Sequence, residues 1–257
     1  MIVKRKQDED TIKEACDISM KILYELGQNV RKGKMTKEID DLAGELCKQY
    51  SVKPAFKSVS GYDYNTCISV NNEVLHGLPV HKEPLKAGDI VKVDFGIIHK
   101  GFYTDHCWTF VVEKASEEDM KLLTAAKEAT ENALRKAVTG NRTGDLGYEM
   151  EHAAKKYGFN TVWEYAGHGI GRNLHEDYPM ILSYGKKHTG EVLKKDLLVC
   201  VECQVVDGSG DVYTEPNGWT VKSAEGGNAG EYEYMAIVRD DEPEVLTPMF
   251  DWPIVIK

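Results

Sequence analysis

Apolar residues recur at helical spacing in four stretches of the chain. From about Asp8 to Leu26, the residues Ile12, Ala15, Ile22, Leu23 and Leu26 fall on one side, and Gly27 is expected to end the helix. After Thr36, read as an N-cap, the residues Ile39, Leu42, Ala43, Leu46, Cys47 and Tyr50 repeat the pattern. A third helix is predicted from Ser116 to Gly140. A fourth, after Thr143, carries Leu146, Met150, Ala153, Ala154 and Tyr157. Each helix pair is followed by denser apolar runs, Ile90 to Ile98 and Leu197 to Val206, which read as buried strands.

These elements repeat. Gly33-Lys34-Met35-Thr36 and Gly140-Asn141-Arg142-Thr143 join their helices at an offset of 107, and Leu85–Ile98 aligns with Leu193–Val206 at an offset of 108. The second alignment places Asp94 on Glu202. Helices then strands, twice, predict an α+β protein of two pseudo-symmetric halves, about 1–112 and 113–257, sharing one sheet and one core as a single domain, 1–257.

The acids within the strand runs change the picture. Asp94 lies in an otherwise apolar strand, and Asp105 follows eleven residues later, beyond a turn read at His99-Lys100-Gly101. A hairpin with an even-numbered loop would set the two carboxylates opposite each other on one face, with Cβ atoms about 5 Å apart. Glu202 and Glu233 occupy comparable strands in the second half, joined through the Gly-rich stretch Ala224–Gly230. Two facing carboxylates repel unless a cation sits between them. Four converging acids would neutralise two divalent cations and suit metal-assisted hydrolysis.

The histidines add candidates. His168 and His175 stand seven residues apart in the Gly-rich segment Ala166-Gly-His-Gly-Ile-Gly-Arg-Asn-Leu-His-Glu176, whose glycines suggest a backbone shaped for close ligand approach. His76 precedes Gly77 at a turn. The segment lacks the spacing and the Lys-Ser/Thr of a phosphate loop. His81, His99, His152 and His188 read as surface residues, and His106 as pointing to the other sheet face from Asp105. Cys200 and Cys203, three apart in a strand, face opposite ways and cannot clamp one metal.

Composition sets outer limits. The 257 residues are 42% hydrophobic and 29% charged, ordinary for a globule, and 32 Lys and Arg against 42 Asp and Glu leave a net charge of −10, which disfavours nucleic acid as a partner. No apolar stretch approaches the ~20 residues of a membrane span. The basic start lacks the apolar core of a signal peptide, and the six cysteines are scattered through apolar patterns. A soluble cytoplasmic protein with reduced thiols is the expectation.

Taken together, Asn72-Glu-Val-Leu-His76-Gly-Leu-Pro79, Val93-Asp94 with Asp105, Gly167-His168-Gly-Ile-Gly-Arg with His175-Glu176, Glu202, Gly218-Trp219-Thr-Val-Lys222 and Tyr232-Glu233 stand in an order that resembles the type I methionine aminopeptidases of the pita-bread metallopeptidases, in their short bacterial form. The resemblance implies a pita-bread fold with its halves around a central curved antiparallel sheet. It implies that Asp94, Asp105, His168, Glu202 and Glu233 bind two divalent metals, with Co, Mn, Fe or Zn as candidates. It also implies that Glu202, His76 and His175 are catalytic. Glu202 would shuttle protons, His175 would stabilise the oxyanion, and His76 would sit near the scissile nitrogen. Tyr62, Cys67, Leu174 and Trp219, with His76 and His175, would contact the substrate. That substrate would be the N-terminal Met of nascent polypeptides and peptides with a small second residue, met near the ribosome by a monomer, with neither membrane nor nucleic acid involved. Prolidases resemble the same ligand set but normally carry a further N-terminal domain. The chain departs from the pattern at Cys203, Leu174, His106 and Tyr234, which puts pocket shape and tuning in question.

Overall fold

The computed structural model describes residues 1–257. Helix α1 (Lys6–Gln28) buries Ile12, Ala15, Ile22, Leu23 and Leu26, the side selected by helical spacing. It does not stop at Gly27. That residue lies inside the helix, and a Cβ on it would stand 2.2 Å from Cζ of Phe110, so the glycine admits a ring instead of ending the helix.

Helix α2 (Thr36–Gln49) and helix α4 (Thr143–Lys156) begin alike. The two threonines are the first helical residues, not the caps. The caps are Met35 and Arg142, whose backbone N–H groups donate to Glu38 and Asp145 at 2.8 Å. A carboxylate in the first turn satisfies an orphan donor and the helix dipole together. Helix α3 (Glu117–Leu134) is capped by Ser116, whose Oγ accepts the Asp119 N–H, and it ends well short of Gly140.

The strands that position the site are β1 (Cys67–Val70), β2 (Glu73–Leu75), β3 (Ile90–Phe95), β4 (Ile97–His99), β5 (Phe102–Tyr103), β6 (His106–Val112), β7 (Ala166–Gly169), β8 (Glu176–Leu182), β9 (Leu198–Val206), β10 (Val221–Ser223) and β11 (Ala229–Ile237). The expected sheet is built as two ladders, one for each half except that the C-terminal strand of the second half joins the first ladder. The first runs Val255–Ile256, β6, β3, β1, antiparallel except for the terminal strand. The second runs β8, β7, β9, β11, Glu244–Val245. A smaller ladder pairs β10 of the second half with β2 of the first.

The ladders abut along β6 and β11, and side chains stitch the seam. Thr109 Oγ1 donates to the Glu231 carbonyl at 2.5 Å and accepts the Glu231 N–H at 3.0 Å. The buried Lys92 ammonium donates to the carbonyls of Asn71 at 2.7 Å and Ala229 at 3.1 Å, one from each half. The helices cover the outer face. One apolar cluster includes residues of all four helices and of β3, β6, β9 and β11. Cys203 belongs to that cluster, while Cys200 packs with Tyr62, Cys67 and Leu174 on the other face, so the pair points opposite ways as strand geometry requires.

A carboxylate unnoticed in the sequence ties α2 to the loop before β1. Asp40 Oδ1 accepts the backbone N–H of Asn65 at 2.8 Å and of Thr66 at 3.0 Å, plus the Thr66 hydroxyl at 3.0 Å, all buried. Asp40→Ala would leave those donors without an acceptor, a loss of roughly 2–5 kcal/mol and about 5–15 °C in Tm. A variant melting with the parent would show that the loop does not depend on this carboxylate.

Candidate metal centre

The hairpin that carries the first two acids differs from its expected register. Ile98 pairs with Tyr103 and His99 with Phe102, so Lys100 and Gly101 alone form the turn, both at positive φ. The same register sets Asp94 opposite Cys107, not Asp105. Asp105 falls instead in a break between β5 and β6, facing Gly96. A Cβ on Gly96 would lie 2.0 Å from the Thr104 carbonyl oxygen, so the crossing requires glycine there. Thr104 bridges the gap, its Oγ1 accepting the Ile97 N–H at 2.9 Å. Asp105, two residues from Cys107, lies on the same face as Asp94 and is its diagonal neighbour across the two strands. Ligand oxygens of Asp94, Asp105 and Glu233 lie within 4.8 Å of one another.

In the second half the acids meet directly, since Glu202 pairs with Glu233 across β9 and β11. His168 lies on β7, paired with Cys200 of β9. Its Nδ1–H donates to the Gly169 carbonyl at 3.0 Å, which leaves the Nε2 lone pair free to act as a ligand. Nε2 stands 3.8 Å from both Asp105 Oδ2 and Glu202 Oε1. The two glycines beside His168 serve the fold rather than a ligand. A Cβ at Gly167 would meet the Cys200 carbonyl oxygen at 2.6 Å, and one at Gly169 would meet that of Tyr178 at 2.0 Å.

Buried Asp94 Oδ1, Asp105 Oδ1 and Glu233 Oε1 have no hydrogen-bond partner. Burial, then the charges of neighbouring acids, pushes Asp94, Glu202 and Glu233 well above the carboxylate range. Burial first among several causes pushes Asp105 and Glu231 to about 7. Burial also holds His168 down to about 3 and His76 to about 4. Neutral imidazole beside converging carboxylates with unclaimed oxygens is the donor set of a hard or borderline divalent cation, so these residues fit one.

A cavity of about 110 Å³ opens beside these acids, lined by Phe56, Val59, Tyr62, Cys67, His76, Asp94, Asp105, Leu174, His175 and Trp219. It is small against ligand clefts of about 300–1,000 Å³ and suits one side chain. Phe56 and Val59 carried no signal in the sequence. Trp219 and Tyr62 meet edge to face at 4.9 Å, and the Tyr62 hydroxyl is occupied by the Thr66 carbonyl at 2.7 Å, so the wall is apolar. Burial raises the Cys67 thiol well above its ordinary value. His76 sits on the rim with φ of 54°, a left-handed conformation uncommon outside glycine, and its ring meets Tyr165 edge to face. His175 stands edge to face with His168 at 4.4 Å and is solvent-exposed.

The remaining histidines divide. His152 and His188 are exposed as expected. His81 and His99 are half-buried: His81 bridges Glu73 at 2.8 Å and Thr36 at 3.0 Å, and His99 reaches Glu14 at 3.2 Å. Three of the four departures turn away from the centre. Cys203 is in the core, Tyr234 stacks on Phe250, and His106 bonds the Phe95 carbonyl at 2.8 Å. Leu174 alone lines the cavity.

The profile of metallopeptidase family M24 matches residues 10–239. The chain belongs to this family, in its methionine aminopeptidase branch. It is 34% identical to a methionine aminopeptidase of Clostridium acetobutylicum over 247 residues, covering 96% of this chain and 98% of that one. It superposes on the crystal structure of a methionine aminopeptidase from Thermotoga maritima with a TM-score of 0.92 and 35% identity, over 96% of this chain and 99% of that one. A Pyrococcus furiosus prolidase, 22% identical at a TM-score of 0.76, shares the pita-bread fold, and this chain covers 65% of it. No helix is long and apolar enough to cross a membrane.

Carboxyls held above their ordinary 3.8 or 4.5 keep protons in the fold that the unfolded chain has already released. Their effect on stability is therefore lost as pH rises, and metal-free protein should melt lower at pH 8.5 than at pH 7. Below about pH 6.5 the buried histidines, held neutral, oppose this trend. Added Mn²⁺ should raise Tm more at pH 8.5, where it displaces fewer protons. A metal-free Tm that climbs from pH 7 to 8.5 would show that the acids do not crowd one another.

Proposed function

We propose that the centre removes the N-terminal methionine of peptides and nascent proteins through two divalent cations held by Asp94, Asp105, His168, Glu202 and Glu233. The observation that carries this reading is the junction of a polar and an apolar environment. Partnerless carboxylate oxygens and a neutral histidine nitrogen border an open-mouthed, apolar-walled cavity the size of one side chain. When bound, the cations supply Lewis acidity and lower the pKa of water to near neutrality, with Co, Mn, Fe or Zn all compatible with the donors.

The chain's own residues do the rest. Tyr62, Cys67, Leu174 and Trp219 enclose the methionine side chain, with Phe56 and Val59 completing the wall. Glu202, anchored between His168 and Gln204, moves a proton between water and the departing amine. His175 donates to the carbonyl oxygen as its charge develops, and His76 addresses the scissile nitrogen from the rim. The raised thiol keeps Cys67 a neutral wall element. The two half-repeats act as one catalytic domain, supported by the apolar cluster they share. The same reading makes the protein a cytoplasmic monomer that meets its substrates near the ribosome.

Glu202→Ala should cost more in kcat than His175→Ala. Losing an oxyanion donor costs about 10²–10³, and Glu202 serves as ligand and proton carrier together. The reverse order would show that these roles are misassigned. Specificity gives a separate check, from kcat/KM for Met-Ala-Ser, Leu-Ala-Ser, Lys-Ala-Ser and Met-Lys-Ser. An apolar pocket separates Met from Leu by only ~1–3 kcal/mol, whereas a buried Lys would be stranded and effectively excluded. A small second residue should be preferred, because His76 crowds that position. Cleavage of Lys-Ala-Ser as fast as Met-Ala-Ser would overturn the methionine assignment.

A further inference from the structure

Beneath the metal centre lies a polar pair that the reaction as described does not use. Gln204 and Glu231 face each other across β9 and β11, two rungs from the Glu202–Glu233 pair and on the same face. Both are buried, at 0% and 3% exposure. The Gln204 carboxamide nitrogen donates at 2.7 Å to Oε2 of Glu202 and at 2.7 Å to Oε1 of Glu231, so one NH₂ group bridges two carboxylates. Its own carbonyl oxygen is buried without a partner. With both acids ionised, as a carboxylate that holds a cation is, the opposite orientation would set that oxygen against two carboxylate oxygens, so the amide nitrogen faces them.

Glu231 is in turn fixed from the other half. Cys107 Sγ donates to its Oε2 at 3.5 Å, and Thr109 holds its backbone on both sides. The consequence falls on Glu202. With Oε2 engaged by Gln204, Oε1 is the oxygen turned to His168, 3.8 Å away. A glutamate has a rotatable stem, and leaving one as a free rotor would add an entropic cost to every metal bound.

Resting on the functional reading above, we propose that Gln204 and Glu231 are positioning residues for Glu202. Glu231 orients the Gln204 carboxamide, and the carboxamide pins one oxygen of Glu202 so that the other is presented to the metal. Neither residue touches substrate or metal. They act as a unit, because Gln204 without Glu231 is free to turn its amide away from Glu202.

The test uses the full-length protein, stripped of metal, titrated with Mn²⁺ by calorimetry and assayed on Met-Ala-Ser. Gln204→Leu should weaken Mn²⁺ binding by about 10–100-fold, as losing a group that orients a ligand does. It should lower kcat while leaving KM for Met-Ala-Ser near the parent value, since the pocket is untouched. Glu231→Leu should approach the same loss. Glu231→Gln, which keeps an acceptor oxygen for the Gln204 amide, should stay close to the parent. The double variant Gln204→Leu/Glu231→Leu should be no worse than Gln204→Leu alone. If Gln204→Leu does not fold, Gln204→Met supplies the same loss of donor in an unbranched chain of equal length. Donor-free variants that bind Mn²⁺ like the parent, or losses that add in the double variant, would overturn the pair while leaving the functional reading standing. A parent protein that neither binds Mn²⁺ nor cleaves Met-Ala-Ser would overturn both.

Discussion

Mutual repulsion among buried carboxylates is the constraint around which this molecule is arranged. Asp94, Asp105, Glu202, Glu231 and Glu233 converge at the seam between the two ladders, and burial strips them of the water that would screen their charges. Within the protein, the answers to that crowding are few. Lys92 places a buried ammonium near the cluster, but its hydrogen bonds go to carbonyls of Asn71 and Ala229, and burial lowers it to about 8. Gln204 shares one amide between two acids. The histidines stay neutral and contribute lone pairs, not charge. What remains unanswered is the set of oxygens on Asp94, Asp105 and Glu233 with no partner, and those oxygens give a cation its reason to bind.

The seam explains why such a cluster survives folding. Each half brings its acids on strands whose other face is packed by helices into one apolar cluster, so the like charges are held together by hydrophobic burial acting elsewhere. The crowding is thus stored locally and offset by the core, as strained functional sites commonly are.

Alternation carried most of this in the sequence. Glu202 and Glu233 interrupt apolar strands, and their direct pairing follows from two long strands in regular register. Asp94 and Asp105 were also legible as partners, but the geometry that joins them was not. The separation of eleven residues suggested a rung, whereas the two-residue turn at Lys100-Gly101 sets Asp94 opposite Cys107 and leaves Asp105 as its diagonal neighbour on the same face. Gly27 misled for a related reason, since a glycine that admits Phe110 looks in sequence like one that ends a helix. Gln204 and Glu231 did leave a signal. They sit two residues from Glu202 and Glu233, in phase with them, where a polar side chain on a buried strand needs a partner. Asp40, Phe56 and Val59 left none, because their positions depend on how a loop folds over the cavity.

The internal repeat, pursued residue by residue, shows where the symmetry ends. At the shared offset of 108, Asp94 matches Glu202, and the structure starts both strands at matched positions, Ile90 and Leu198. Two residues onward, however, Gly96 matches Gln204. In the first half that position lies opposite Asp105, where the strands cross too closely for a Cβ, and in the second half it carries the side-chain amide that holds Glu202 in a regular ladder. Two residues back, Lys92 matches Cys200, a cation against a neutral thiol. The ligands therefore repeat while their supports do not. Under the proposed function, a site with repeated ligands and unequal supports would present two different environments to its two cations. In the proposed mechanism the oxygen pinned by an amide belongs to the acid that also moves a proton, so the asymmetry falls on that side of the axis.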